Sequence, residues 1–252
     1  MKKTLLGLAT IALITFSCGD KNEKTDEEFE ETVAEVEDEI MGTDNQDNTI
    51  SLFDGKSMDQ WRGYLSDKMY DEWTIDGDAM MFTPGSEGGK NIITKDTFTN
   101  FVLKLDWKVE EGANSGIFYG VHEDKKFPEA YQTGPEIQVL DNERHPDAKV
   151  AGGTHKAGSL YDMIACPPEL INPAGEWNNM ELSVNHVDNM GQVYMNGNLA
   201  FTFTVHGPEW DRMVANSKFK GWEGFGKYQT GHIGLQDHGN KVWFKNISIT
   251  RL

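Results

Sequence analysis

The stretch FVLKLDWKV, residues 101–109, decides the fold class. Phe101, Leu103, Leu105, Trp107 and Val109 alternate with Lys104, Asp106 and Lys108, the period of two that belongs to a half-buried strand. Working outward, GIFYGV, EIQVL, MELSVNHV, QVYMNGNLAFTF, HIGLQDH and VWFKNISIT repeat the pattern in short runs separated by Gly and Asn turns. Asn196-Gly197, set between two such runs, is the strongest hairpin signal in the chain. Helical periodicity is scarce, and the best candidate is 208–219, PEWDRMVANSKF, with Pro208 at a permitted early position. Many short strands with close turns and few helices predict an all-β sandwich or barrel, and about 200 residues suit one such domain. No internal repeat and no second linker interrupts it.

The N-terminal fifth has a different texture. A basic MKK start, the apolar run TLLGLATIALITFS and then Cys18 read as a secretory signal that is too short to span a bilayer. A Cys at the cleavage point predicts a lipoprotein signal peptide over 1–17 and lipidation on Cys18. Thr15 and Phe16 make the segment before it a loose match to the usual lipobox. Residues 18–48 hold 13 Asp and Glu against two Lys, which predicts an acidic, solvated tether. It resembles the acidic export signals that follow the lipidated Cys in bacterial surface lipoproteins; a plain spacer is the other reading. The expected location is the cell envelope, with the membrane engaged only through the lipid.

The formal net charge is −18, and the domain at 49–252 is acidic in its own right. With no Lys/Arg stripe, the sequence argues against nucleic acid and against anionic membrane surfaces as partners. Cys166 is the one Cys left after Cys18, so no internal disulfide is expected. In ACPPEL it reads as a buried apolar residue more readily than as a catalytic thiol.

Two stretches put polar groups where strands should be apolar. In GPEIQVLDN (134–142) Glu136 and Gln138 oppose Ile137 and Val139; in GHIGLQDHG (231–239) His232, Gln236 and His238 oppose Ile233 and Leu235. The apolar members predict the sandwich core, and the polar members the outer face of the same sheet. Gln, His, Glu and Asn there, rather than Lys and Thr, favour the floor of a site over an ordinary wet face. His145, His186 and His206 are read as structural, whereas His155, in the Gly-rich loop AGGTHKAGS, is an even choice between site and solvent.

EIQVLD resembles the signature of laminarinase-type retaining glycanases, but Gln138 and Asp141 stand where that pattern has Asp and Glu. A more extensive resemblance runs through SLFDGKSMDQW, ANSGIFYG, GPEIQVLDN, AGSLYDMIACP, YMNGNLAF and GHIGLQDHGNKVWFKNISITRL, in order, over 49–252. These segments are similar to the 3-keto-disaccharide hydrolase family. That resemblance implies a concanavalin/laminarinase-like jelly-roll β-sandwich acting on glycosides oxidised at C3. A C3 ketone acidifies the neighbouring C2–H, so a base can remove that proton while the C1 substituent departs. Such chemistry needs a base, a donor or cation at the ketone oxygen and an acid at the leaving oxygen.

The candidates are Glu136 or His155 as base and His238 or Asp141 as acid. Gln138 and Gln236 are expected to hold sugar hydroxyls, Asn114 to polarise the ketone, and Trp107 and Tyr161 to stack on a sugar face. A divalent metal could fill the electrophile role, but no metal-ligand spacing is recognisable and no cofactor is assigned. Two other functions stay in view: a sugar-binding module that uses the same groove without turnover, and a retaining glycanase that cleaves unoxidised glycans.

Overall fold

A computed structural model describes residues 48–252. The expected signal peptide at 1–17, Cys18 and all of the tether before Asn48 lie outside the described residues. Thirteen strands form two antiparallel sheets: β1 (Thr49–Phe53), β2 (Trp61–Gly63), β3 (Trp73–Asp76), β4 (Ala79–Phe82), β5 (Ile92–Thr94), β6 (Phe101–Val109), β7 (Asn114–Val121), β8 (Glu136–Leu140), β9 (Asn178–Asn185), β10 (Met190–Met195), β11 (Asn198–Phe203), β12 (His232–Leu235) and β13 (Val242–Arg251). One sheet runs β11–β10–β9–β6–β13–β4–β3, with β1 also paired to β13; the other runs β2–β5–β12–β7–β8. The result is the expected jelly-roll sandwich.

The alternation at 101–109 is realised as expected. Phe101, Leu103, Leu105, Trp107 and Val109 are buried, and Lys104 is exposed. Facing them from the second sheet are Ile92, Ile117, Ile137, Val139, Ile233 and Leu235, all in one buried cluster with β6, β9 and β13. Asn196 and Gly197 take φ of 50° and 79°, the left-handed pair that a two-residue hairpin turn requires, and they join β10 to β11 directly. The helix expected at 208–219 is α1, Gly207–Ala215; it ends early, and 216–219 turn away into the wall of the cleft described below.

Trp107 departs from its expected role. It is 1% exposed and packed between the sheets, so it cannot stack on a sugar. The alternation of β6 points it inward, and apolar area of that size is stabilising there. Cys166 is likewise buried, with burial pushing its thiol up to about 12, which fits the apolar reading.

Candidate active site

The outer face of the five-stranded sheet is covered, not wet. Every residue of β7 and β8 is buried. Tyr64, Ile93, Phe118, Val121 and Ala130 form a small apolar cluster over one part of the second sheet. Elsewhere on that sheet a cleft opens. Strand register sets its floor: Gly116 of β7 pairs with Gln138 of β8, while the Gln236 N–H donates to the Gly116 carbonyl from the other side. Gln138, Gly116 and Gln236 therefore lie in one row across β8, β7 and the residue that follows β12, and Glu136 stands two residues along β8 on the same face. Gly116 is what admits Glu136, since a Cβ there would collide with the Glu136 carboxylate.

The cleft encloses about 390 Å³ between Asn114, Tyr131, Glu136, Gln138, Tyr161, Lys218, Phe219, Trp222, Gln236 and His238. A neighbouring space of about 440 Å³ shares Asn114, Tyr161 and His238 and adds His145, Pro146, Asp147 and Val150. Six expected residues thus meet: Asn114, Glu136, Gln138, Tyr161, Gln236 and His238. His145, read as structural, joins them; its ring lies edge-on to that of His238 with centroids 6.3 Å apart. Its Nδ1 accepts the Asp147 N–H at 3.2 Å, and burial, together with His238, lowers its pKa.

Glu136 is the electrostatic centre of the cleft. Burial raises its carboxyl to about 8, against the pull of Lys218 and with a smaller push from Asp147. A carboxyl in that range can exchange a proton near neutral pH. Gln138 turns its Oε1 onto the Val139 N–H at 2.9 Å, which leaves its NH₂ as a donor. The amide oxygens of Asn114 and Gln236 are buried and find no hydrogen-bond partner among the described residues. Such groups are satisfied in most proteins, and hydroxyls of a bound ligand are suited to them.

The cleft's far wall comes from 204–231, the connection between β11 and β12, and sequence reasoning missed it. Phe219 stacks on Phe225 at 3.8 Å and meets Trp222 edge-on at 5.2 Å. Lys218 Nζ lies 4.0 Å from the Tyr161 ring centroid, within cation–π range. The density of aromatic and basic residues in SKFKGWEGF, 217–225, was the available signal. Tyr131 and Asp147 were also missed and carry no such signal.

Two expected catalytic residues are placed elsewhere. Asp141 accepts hydrogen bonds from the backbone N–H groups of Gly112, Glu143 and Arg144 and from the Arg144 guanidinium, at 2.8 to 3.3 Å. Burial alone would raise its carboxyl, but these bonds outweigh it and hold it below its ordinary value. It lines a separate hollow with Asn142, Pro168 and Ile171, so it ties a turn and does not reach the cleft. His155 stands behind Tyr161, stacked on its ring at 4.2 Å. Both of its ring nitrogens are taken, by Asp147 Oδ1 at 2.9 Å and Asp162 Oδ1 at 2.6 Å, and neither is free to serve as the base. His232 also turns away, with Nδ1 on the Thr94 carbonyl at 2.8 Å. Among the described residues no group of three or more His, Cys, Asp or Glu side chains is arranged to hold a metal ion.

A family model for the 3-keto-alpha-glucoside-1,2-lyase-like domain matches residues 48–250. The chain belongs to this family. A 3-keto-disaccharide hydrolase of Bacteroides thetaiotaomicron is 37% identical to this chain, over 81% of it and 78% of the relative. A solved structure from Parabacteroides distasonis, described as a glycosyl hydrolase, superimposes with a TM-score of 0.74 at 27% identity, covering 83% of this chain and 97% of that one. A second from the same organism gives 0.60 at 24% identity, covering 81% and 99%, and shows the shared fold. The protein is thus a carbohydrate-active, glycoside-cleaving enzyme on a jelly-roll sandwich.

Proposed function

We propose that this enzyme cleaves the glycosidic bond of 3-keto-glycosides by removing the C2 proton, with Glu136 as the base. The observation that carries the reading is a single carboxyl, buried against Gly116 and raised to about 8, on the floor of a cleft that also presents Lys218. The C3 ketone makes C2–H acidic enough for a carboxylate. Glu136 takes the proton, the C2–H electrons form the C1=C2 bond, and the C1–O bond breaks. The departing oxygen receives a proton from His238, which borders both parts of the cleft. Addition of water across the new double bond gives net hydrolysis; release before that step gives a lyase.

The other groups have matching tasks. Lys218 and Asn114 stabilise negative charge at the ketone oxygen. Gln138 and Gln236 hold hydroxyls, and Phe219 and Trp222 supply aromatic surface for the ring; the faces of Tyr161, the expected platform, are taken by His155 and Lys218. Tyr161 is kept protonated by burial and by Asp147, which both raise its pKa, so it acts as a neutral hydrogen-bonding group. A retaining glycanase needs two carboxyls about 5 to 5.5 Å apart. Asp141 is committed to its turn and Asp147 to His155 and Tyr161, which disfavours that route.

The test is to incubate the purified protein with a 3-keto-glucoside and with its unoxidised parent, with and without a chelator. Release of aglycone from the ketone alone supports the elimination. Loss of that release with chelator adds a divalent metal to the site. Cleavage of the parent favours the glycanase, and binding without cleavage of either favours a sugar-binding role.

The same proposal extends to location. We infer from the order of the basic start, the apolar run and Cys18 that the enzyme is lipidated on Cys18 and held at the cell envelope by the acidic tether. Among the described residues no helix is long and apolar enough to cross a membrane. Incorporation of an alkyne fatty acid in bacterial cells, lost in Cys18→Ala, is the check; labelling of neither form overturns the anchor.

A further inference from the structure

Four side chains connect one wall of the cleft to the other by a path that runs behind it. Tyr161 Oη donates to Asp147 Oδ2 at 2.9 Å, and Asp147 Oδ1 meets His155 Nδ1 at 2.9 Å. His155 Nε2 meets Asp162 Oδ1 at 2.6 Å, and Asp162 Oδ2 accepts the Lys218 backbone N–H, also at 2.6 Å. The path begins on a cleft residue and ends on the backbone of another. Lys218 Nζ then returns to lie over the Tyr161 ring at 4.0 Å, which closes a circuit. Asp162 sits at φ +60°, a left-handed conformation uncommon outside Gly and Asn or Asp, and its surroundings hold it there.

We propose that Asp147, His155 and Asp162 form a latch that fixes the 217–222 wall against the loop bearing Tyr161, and so sets where the Lys218 ammonium stands relative to Glu136. His155 and Asp162 line neither part of the cleft, so they act as positioning residues. The need is visible in the fold: Lys218 lies beyond the end of α1 on a long connection, where neither sheet register nor helix geometry fixes a side chain. Two carboxylates clamped on one imidazole make charge-assisted bonds, which are short and directional. Of the groups bordering the cleft with Glu136 (Lys218, Tyr161, Tyr131, His238 and, next door, His145 and Asp147), Lys218 and Asp147 bear on its charge. The latch touches both. Its consequence for turnover rests on the 3-keto-glycoside reading above; its structural part does not.

The test uses Asp162→Ala, His155→Phe and Asp162→Asn in the purified protein. In the wild type the Lys218 amide is expected to be protected in hydrogen exchange, read on the 216–222 peptide, and to lose that protection in Asp162→Ala. With a cleavable 3-keto-glucoside, kcat is expected to fall on the order of 100-fold in Asp162→Ala and His155→Phe, the scale of a small misplacement of a catalytic group, with a smaller change in KM. The rising limb of kcat/KM against pH should move to higher pH as Lys218 withdraws from Glu136. Asp162→Asn, which keeps an oxygen for the Lys218 N–H, should restore most of both. An unprotected Lys218 amide in the wild type, or an Asp162→Ala enzyme with wild-type exchange and an unmoved limb, overturns the latch. If the wild type cleaves no 3-keto-glycoside, the functional reading fails while hydrogen exchange still judges the latch.

Discussion

The Glu136 carboxylate occupies the volume that a Cβ on Gly116 would need, one strand away across the β7–β8 pair. Gly116→Ala must therefore move either the Glu136 side chain or the strand. It is expected to lower stability by about 1–3 kcal/mol, as overpacking does, and to lower kcat/KM on the order of 100-fold by displacing Glu136. Thermal melts and steady-state kinetics on the same preparation separate the two effects. Full activity in Gly116→Ala would count against Glu136 as the base.

Glu136 also links stability to pH in a predictable direction. Its folded value of about 8 lies above the ordinary 4.5, so the folded protein binds this proton more tightly than the unfolded chain does. The contribution is fully present below about pH 4.5 and is lost as pH rises through 8, by on the order of a few kcal/mol. Glu136→Gln escapes this loss. Its melting temperature should exceed that of the wild type at pH 9 and converge with it at pH 5. Its kcat/KM should fall on the order of 10²–10⁴-fold.

Two tryptophans provide a contrast. Trp107→Ala opens a cavity between the sheets and should cost about 3–5 kcal/mol while leaving the KM of the folded fraction unchanged. Trp222, half-buried on the cleft wall and edge-on to Phe219, should behave oppositely. Trp222→Ala is expected to raise KM on the order of tenfold, the value of a lost aromatic contact of about 1–1.5 kcal/mol, with a smaller effect on melting.

Cys166 should be inert. Its thiol is buried and raised to about 12, by burial and by nearby Glu169, so little reactive thiolate forms. Iodoacetamide at pH 8 should label the protein in denaturant and leave the native form unmodified, as intact mass will show. Cys166→Ala should keep wild-type kcat/KM.

What was legible in the sequence follows from how each residue is held. Strand periodicity placed Ile137 and Val139 inward and Glu136 and Gln138 outward, because alternation is dictated by the backbone. It also marked Trp107 as core, in one register with Leu103 and Leu105, and an aromatic platform was the wrong use for it. Asp141 lies one residue beyond β8, where alternation no longer fixes direction and an unpaired turn of backbone N–H groups captured it instead. His145, His155 and Lys218 lie on loops, and their surroundings come from partners that sequence order does not bring together. Asp162 and Lys218 are 56 residues apart, and nothing local announces that they meet.

The division of labour between strand β8 and the connection at 204–231 has a consequence for descent. Glu136 sits on a strand whose replacement would disturb the core, while Lys218, Phe219 and Trp222 belong to the connection between β11 of one sheet and β12 of the other, which sends Trp210, Phe219 and Phe225 into the core. The two sides of the cleft are thereby carried on separate stretches of chain. Lineages with this scaffold can change the half-buried positions of that connection, such as Trp222, without disturbing the strand that carries Glu136.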